Sequence, residues 1–311
     1  MNKPDGGLAV EVRGLHKAYR GGPAVRGIDL SVNQGEVFAL LGPNGAGKTT
    51  TVEILEGFRS RDAGDVRVLG FDPATGDHNF KARVGMVLQT TGIDPYLTAA
   101  EMVDLLGAAY PRRLATDDAL ELVGLLPQAD QPVRKLSGGQ RRRLDVAVAM
   151  AGDADLLFLD EPTTGFDLSA RRAAWDLIKQ LAHRGRTIFL TTHYMEEAEC
   201  LADRVAIIVE GKIVADGPPR HLTTDTASVV TFRLPVGAPP MPADLSDLMP
   251  AQTDFDRGFY LRTDDPVRFL HRLTDWAVSE DVALQALHVS QPSLEDTYLR
   301  LTGTQHREST P

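Results

Sequence analysis

The chain has 311 residues, of which 42% are hydrophobic and 24% are charged, and its formal net charge at pH 7 is -10. This composition is typical of a globular protein and excludes a largely disordered or fibrous one. The acidic charge disfavours a nucleic-acid partner, which would need a basic stripe. The single cysteine, Cys200, excludes an internal disulfide and a metal-cysteine cluster.

Three short apolar runs, each followed by polar residues, predict buried strands of an α/β sheet. They span residues 37–41, 156–159 and 187–191, and they lead to a glycine-rich loop, to Asp160 and to His193, respectively. Ligands of an open α/β sheet bind at the carboxyl ends of the strands. We therefore expect these polar residues to share one site, although they are distant in the sequence.

Breaks in these patterns predict the domain organisation. Leucine spacing predicts a helical insert at about residues 90–150, within a first domain at residues 1–220. After a linker at 221–228, alternating strand and helix patterns predict a small α+β domain at 229–303 and a mobile tail at 304–311. No apolar run approaches the length of about 20 residues that crosses a bilayer, so we expect no membrane span.

The glycine-rich loop has the pattern of a phosphate-binding loop. Its glycines let the backbone approach phosphate oxygens closely. Lys48 would reach the β- and γ-phosphates, and the Thr49 hydroxyl suits Mg²⁺. A chance glycine turn is the alternative, but the strand before the loop and the helix after it argue against this. The candidate nucleotide-binding residues are Gly42, Pro43, Asn44, Gly45, Ala46, Gly47, Lys48, Thr49 and Thr50.

Two adjacent carboxylates, Asp160 and Glu161, follow the second predicted strand and match the Walker B pattern. Asp160 would hold Mg²⁺, whereas Glu161 would orient and deprotonate the water that attacks the γ-phosphate of a bound nucleotide. The alternative is that the two acids only cap a helix, for which Pro162 would be a suitable first residue. We predict hydrolysis of a bound nucleoside triphosphate from this pair.

A second glycine motif, Leu-Ser-Gly-Gly-Gln at residues 136–140, precedes a helix that we predict to begin near Arg141. A helix N-terminus carries a partial positive charge, and the two glycines would expose N–H groups to a phosphate. Together with the phosphate-binding loop, this motif resembles the ATPase subunits of ABC (ATP-binding-cassette) transporters. The resemblance covers residues 8 to about 220 and implies a P-loop ABC ATPase domain with a mixed sheet and a helical insert.

The resemblance also implies roles for individual residues. Tyr19 matches the aromatic residue that stacks on adenine, Gln89 the Q-loop glutamine that contacts Mg²⁺, and His193 the H-loop histidine that contacts the γ-phosphate. Taken alone, each has an ordinary structural interpretation. The signature residues that would clamp the ATP of an opposing subunit are Ser137, Gly138, Gly139 and Gln140.

The resemblance implies a head-to-tail homodimer that binds ATP and Mg²⁺ and acts on separate multispanning membrane permease subunits at the cytoplasmic face of the membrane. Residues 293–303, 87–89 and 141–145 are similar to ATPase subunits of drug exporters of the daunorubicin-resistance type. The predicted function is therefore efflux of a drug or antibiotic-like compound, without a nucleic-acid partner. The alternatives are a soluble ABC ATPase that acts on ribosomes or DNA, and an ATP-binding regulator that no longer hydrolyses.

Two positions depart from the family pattern. Phe166 stands where Leu is more usual, and Leu168 stands where Pro is more usual, whereas Asp167 between them is retained. We expect these departures to leave hydrolysis intact and to affect the communication between the two sites of a dimer.

Overall fold

A six-stranded sheet lies at the centre of the first of two compact units, Met1–Pro219 and Arg220–Pro311. The computed structural model describes residues 7–87, 94–222, 228–235, 237–246, 258–290, 294 and 297–298. No helix in these ranges is both long and apolar enough to cross a membrane. The strands and α-helices as far as residue 222 are β1 (Leu8–Tyr19), β2 (Gly22–Asn33), β3 (Val37–Leu41), α1 (Lys48–Leu55), β4 (Ala63–Val68), α2 (His78–Lys81), β5 (Val84–Val87), α3 (Ala99–Gly107), α4 (Thr116–Leu122), α5 (Gly138–Met150), β6 (Leu156–Asp160), α6 (Leu168–His183), β7 (Thr187–Thr192), α7 (Met195–Leu201), β8 (Arg204–Val209), β9 (Lys212–Gly217) and α8 (Pro219–Leu222).

The six-stranded sheet has the strand order β5-β6-β7-β3-β8-β9. Its first five strands are parallel, and β9 pairs antiparallel with β8 to form a hairpin. A second sheet, with the order β2-β1-β4, is antiparallel. The predicted α/β class with a mixed sheet is thus confirmed.

The three predicted apolar runs form the neighbouring strands β3, β6 and β7. Phe38, Phe158 and Phe189 pack across these strands, with ring centroids of neighbours 5.2 and 5.5 Å apart. Continuous apolar runs suit strands that are covered on both faces. Parallel pairing places the carboxyl ends of the three strands at one edge of the sheet, where Asp160 is opposite Thr191.

Helices α3, α4 and α5 lie within the predicted helical insert. α3 begins with a capping box at Thr98. α5 begins at Gly138, so the predicted start near Arg141 is wrong by three residues. The physical reason is a second capping box, between Ser137 and Gln140, which starts the helix at the first glycine of the motif.

The second unit is a small α+β fold. It consists of the short helix α9 (Ala243–Ser246), the helix α10 (Pro266–Ser279) and an antiparallel sheet with the order β11-β10-β12, formed by β10 (Ser228–Arg233), β11 (Phe259–Thr263) and β12 (Gln285–Ser290). Its core comprises Val230, Phe232, Leu245, Leu261, Phe269, Leu273, Trp276 and Ala277. Most of the predicted linker, the capping box at 293–296 except Leu294, and the tail at 304–311 lie outside the described residues.

Gly85 of β5 lies where the backbone of α5 passes against the strand. A Cβ atom at this position would overlap the carbonyl oxygen of Ala149 and lie 2.6 Å from Cδ2 of Leu157. We therefore expect Gly85→Ala to lower the free energy of unfolding by about 1–3 kcal/mol, the usual cost of overpacking. Gly21→Ala is the matched control, because a Cβ atom there has no neighbour within 4 Å. Denaturant titration measures both variants, and equal stabilities would contradict the predicted clash.

Candidate active site

The glycine-rich loop connects β3 to the N-terminus of α1. Gly45 and Gly47 have φ angles of 80° and 108°, in the left-handed region that favours glycine. A Cβ atom at Gly47 would lie 2.5 Å from the carbonyl oxygen of Ala24, so a larger residue does not fit. A backbone loop that leads directly into a helix N-terminus is an arrangement that binds phosphate.

Lys48 is the first residue of α1, and its side chain folds back onto the loop. Nζ donates hydrogen bonds to the carbonyl oxygens of Gly42 at 2.8 Å and Pro43 at 3.2 Å. It also lies 3.9 Å from Oε1 of Glu161. Burial lowers the pKa of Lys48, while the charges of Glu161 and Asp160 oppose this shift. The ammonium is therefore held between the loop and the acidic pair.

Thr191 of β7 fixes the two acids relative to each other. Asp160 ends β6, and Glu161 follows with a φ angle of 45°. This conformation costs a non-glycine residue about 1–3 kcal/mol and persists only where the surroundings impose it. The N–H of Glu161 donates to the carbonyl oxygen of Thr191 at 3.2 Å and to its hydroxyl at 3.1 Å. The same hydroxyl donates to Oδ1 of Asp160.

The carboxylate of Glu161 lies among three polar side chains. Oγ1 of Thr164 donates to Oε2 of Glu161 at 3.1 Å, and Nζ of Lys48 lies 3.9 Å from Oε1. Nδ1 of His193, at the end of β7, is 3.4 Å from Oε1 but lacks hydrogen-bond geometry. The structure thus brings together Glu161, His193 and Lys48. A carboxylate in this position can accept a proton from a nearby water.

Glu56, at the C-terminal cap of α1, is a buried acid that the sequence analysis missed. Burial raises the pKa of Glu56 to about 8, and the charges of Asp160 and Glu53 add to the shift. At neutral pH it is therefore mostly protonated and adds little negative charge near Asp160. The sequence signal for the burial of Glu56 is its position four residues after Val52, which places both side chains on the buried face of α1.

Tyr19 ends β1 and exposes 42% of its surface. Nζ of Lys17 lies 5.7 Å and Cζ of Arg59 lies 5.3 Å from the ring centroid. Arg59 forms an ion pair with Glu53 of α1, which places Tyr19 beside this helix. An exposed ring in this position can stack on a flat ligand.

The signature motif forms the N-terminus of α5. The N–H of Gln140 donates to Oγ of Ser137 at 3.2 Å, and the N–H of Ser137 donates to Oε1 of Gln140 at 2.9 Å. These two side chains are therefore engaged in the helix cap. The N–H groups of Gly138 and Gly139 have no partner within the helix. Apart from the chain neighbours and the backbone of α5 itself, no described atom lies within 4 Å of a Cβ built on either glycine, so an anion could approach both.

The signature motif lines a groove to which the chain's own phosphate-binding loop contributes no residue. This groove has a volume of about 690 Å³ and is lined by Ser137, Gly138 and Gly139, by the segment 165–167 and by one face of α6. None of the loop residues 42–50, all of which the structure describes, lines it. Within one chain, the signature motif and the phosphate-binding loop therefore face different spaces.

The remaining predicted residues are those of the loop, which differ in exposure, and Gln89. In the loop, Asn44 and Thr49 are exposed, Pro43 and Thr50 are half-buried, and Ala46 is buried. Gln89 lies outside the described residues, two positions after the end of β5. Thr191 was missed because nothing in the strand pattern shows that its hydroxyl faces the neighbouring strand.

Comparison with known proteins identifies the family to which the chain is similar. A family model described as "ABC transporter" matches residues 25–164, and one described as the C-terminal domain of ABC transporter domain-containing protein-like sequences matches residues 228–293. The chain is 36% identical to the daunorubicin/doxorubicin resistance ATP-binding protein DrrA of Streptomyces peucetius, over 95% of this chain and 92% of that protein. It is 38% identical to the Nod factor export ATP-binding protein I of Ralstonia nicotianae, over 96% and 95% of the two chains.

Among solved structures, cbiO1 from Clostridium perfringens, part of the ABC transporter complex cbiONQ, is similar with a TM-score of 0.61 and 25% identity. The match covers 70% of this chain and 91% of cbiO1. The relatives thus extend over nearly the whole chain, and the fold similarity covers most of it. The chain therefore belongs to the ABC transporter family and is one of its ATP-binding, ATP-hydrolysing subunits.

Proposed function

We propose that the protein is the motor subunit of an exporter and that it hydrolyses ATP as a head-to-tail dimer. The observation that carries this proposal is the arrangement of Glu161 between Lys48 and His193, with the signature motif directed elsewhere. The two relatives named above are a drug-resistance protein and a Nod factor export protein. We infer export of a drug or antibiotic-like compound through separate membrane permease subunits, at the cytoplasmic face of the membrane.

The phosphates of ATP would bind to the N–H groups of the loop and to Lys48. A triphosphate next to Lys48 adds negative charge, which favours the charged form of its ammonium against the effect of burial. Tyr19 would stack on adenine, which requires only an exposed aromatic face. These contacts orient the γ-phosphate toward Glu161.

The carboxylate of Asp160 and the exposed hydroxyl of Thr49 offer the oxygen ligands that Mg²⁺ prefers. Bound Mg²⁺ supplies positive charge that stabilises the transferring phosphoryl group. Glu161 would accept the proton of the attacking water, and His193 would contact the γ-phosphate. Gln89 joins this set through the resemblance alone.

The signature motif would complete the site of a second copy of this chain. The N–H groups of Gly138 and Gly139 and the positive end of α5 suit a phosphate, yet the groove beside them is lined by none of the chain's own loop residues 42–50. Two copies related by a two-fold axis can each present α5 to the loop of the other. An isolated monomer would then bind ATP but hydrolyse it poorly.

Glu161→Gln should leave ATP binding intact and lower turnover by about 10² or more, because it removes the general base. The variant should accumulate as an ATP-bound dimer. Steady-state phosphate release, nucleotide binding and size-exclusion chromatography measure these effects. Glu196→Gln, an exposed acid in the first turn of α7, is the matched control and should behave like the wild type. Turnover of Glu161→Gln at the wild-type rate would refute its role as the base.

Mixing two inactive variants tests the composite site. Lys48→Ala removes the phosphate-binding ammonium, and Gly139→Asp places a carboxylate where the opposing phosphate would approach. The Asp lies in the first turn of α5, so it should not destabilise the helix. Each variant alone should be inactive, and an equal mixture should recover up to about a quarter of the wild-type rate, since half of randomly paired dimers have one intact site. No recovery after subunit exchange would argue against shared sites.

Export is tested with the protein from its native membranes. Affinity isolation of the tagged Glu161→Gln variant in detergent should recover a multispanning membrane protein with it. The wild-type chain and this partner, reconstituted in liposomes, should transport a drug-like compound only when ATP is supplied. Hydrolysis that ribosomes or nucleic acid stimulate, without a membrane partner, would instead favour the soluble ABC ATPase.

A further inference from the structure

The imidazole of His193 packs against a neighbouring aromatic ring. Nδ1 is buried and has no hydrogen-bond partner among the described residues, although Oε1 of Glu161 is 3.4 Å away. The ring centroid lies 4.1 Å from that of Tyr194, with an angle of 40° between the ring planes. The ring of Tyr194 is therefore a direct packing contact of the His193 ring.

Tyr194 makes one contact through its backbone and one through its ring. Its N–H donates to Oγ1 of Thr192 at 3.0 Å, which fixes the backbone at the end of β7. The guanidinium carbon of Arg171 lies 4.5 Å from the centroid of the Tyr194 ring, within the range of a cation-π interaction. Nε of Arg171 is buried and has no hydrogen-bond partner in the part of the chain that the structure describes, so the aromatic ring is a principal contact of this guanidinium.

Arg171 lies in the first turn of α6, immediately after the segment that follows Glu161. Its N–H donates to the carbonyl oxygen of Asp167 at 2.9 Å, and the side chain of Asp167 caps α6. Any displacement of this segment therefore moves Arg171. Through the ring of Tyr194, such a displacement reaches His193.

A buried carboxylate joins the same two helices at a second point. Glu197 of α7 is 1% exposed and accepts hydrogen bonds from Oγ1 of Thr163 at 2.7 Å and from Nε1 of Trp175 at 3.0 Å. Thr163 belongs to the segment after Glu161, and Trp175 belongs to α6. These two hydrogen bonds connect the helix that follows His193 both to α6 and to the segment after Glu161.

We propose that Arg171 and Tyr194 are positioning residues that hold the imidazole of His193 toward the γ-phosphate and link its orientation to the segment 163–167. This inference rests on the proposed function, in which His193 contacts that phosphate. In this proposal, both residues act through His193 and not through contact with the nucleotide. Their loss should therefore lower the rate of the chemical step and leave ATP binding unchanged.

The test uses the full chain and measures kcat and KM for ATP. Tyr194→Ala and Arg171→Ala should each lower kcat by about 10-fold, because misplacement of a catalytic group carries a cost of that order or more. KM should change by less than about twofold, since ground-state binding is unaffected. Tyr194→Phe, which keeps the aromatic face, should retain wild-type kcat. Arg172→Ala, an exposed neighbour on α6, is the matched control.

A double-mutant cycle separates positioning from a merely structural role. If Arg171 acts through the ring of Tyr194, the variant with both substitutions to Ala should lose no more activity than Tyr194→Ala alone. Thermal unfolding should remain close to the wild type. Should Tyr194→Ala fail to fold, Tyr194→Leu takes its place, because it fills the space without an aromatic face.

Three results would overturn the inference: multiplicative losses in the cycle, equal damage from Tyr194→Phe and Tyr194→Ala, or wild-type kcat of Arg171→Ala. Measurement of Glu161→Gln in the same preparations identifies which proposal fails. If Glu161→Gln is inactive while Arg171→Ala is fully active, only this inference is wrong. If Glu161→Gln hydrolyses ATP at the wild-type rate, the proposed function is wrong as well.

Discussion

The register between β6 and β7 is the constraint on which the site depends. It places Asp160 opposite Thr191, so that one hydroxyl can bond both to the carboxylate of Asp160 and to the N–H of Glu161. A shift of one residue would turn every side chain of a strand to the opposite face. Such a shift is disfavoured because it would disrupt the packing of Phe158 on Phe189. Core packing thus determines the geometry of the acids.

Two effects reduce the electrostatic repulsion among the acids of the site: the nearby charge of Lys48 and the protonation of Glu56. Lys48 lies near two carboxylates, and burial alone would favour its neutral form. A third fully charged acid close to Asp160 would increase the repulsion among the carboxylates. Burial avoids this by keeping Glu56 mostly protonated near neutral pH, with a pKa of about 8. Glu56 therefore adds little charge to the site and needs no ion-pair partner there.

Sequence predicted the parts of the site that depend on local pattern. Apolar runs located β3, β6 and β7, and glycine spacing located the loop before α1. The start of α5 was missed because Gln140, assigned to ligand binding, completes a capping box with Ser137. Thr191, Tyr194 and Arg171 escaped for a different reason. Their contacts join residues that are far apart in sequence or depend on side-chain direction, which strand and helix periodicity does not encode.

Two residues, Phe166 and Leu168, depart from the family pattern. Phe166 changes the wall of a groove, whereas Leu168 leaves the start of α6 intact. The side chain of Asp167 accepts from the N–H of Ala170 at 2.7 Å, so the cap of α6 is complete with Leu168 in the first position. A proline there would preset φ, but the missing N–H would matter little, since that group has no partner within the helix. Phe166 lines the groove beside the signature motif. Its ring changes the size of an apolar wall and not its polarity, at the place where two copies of the chain would meet.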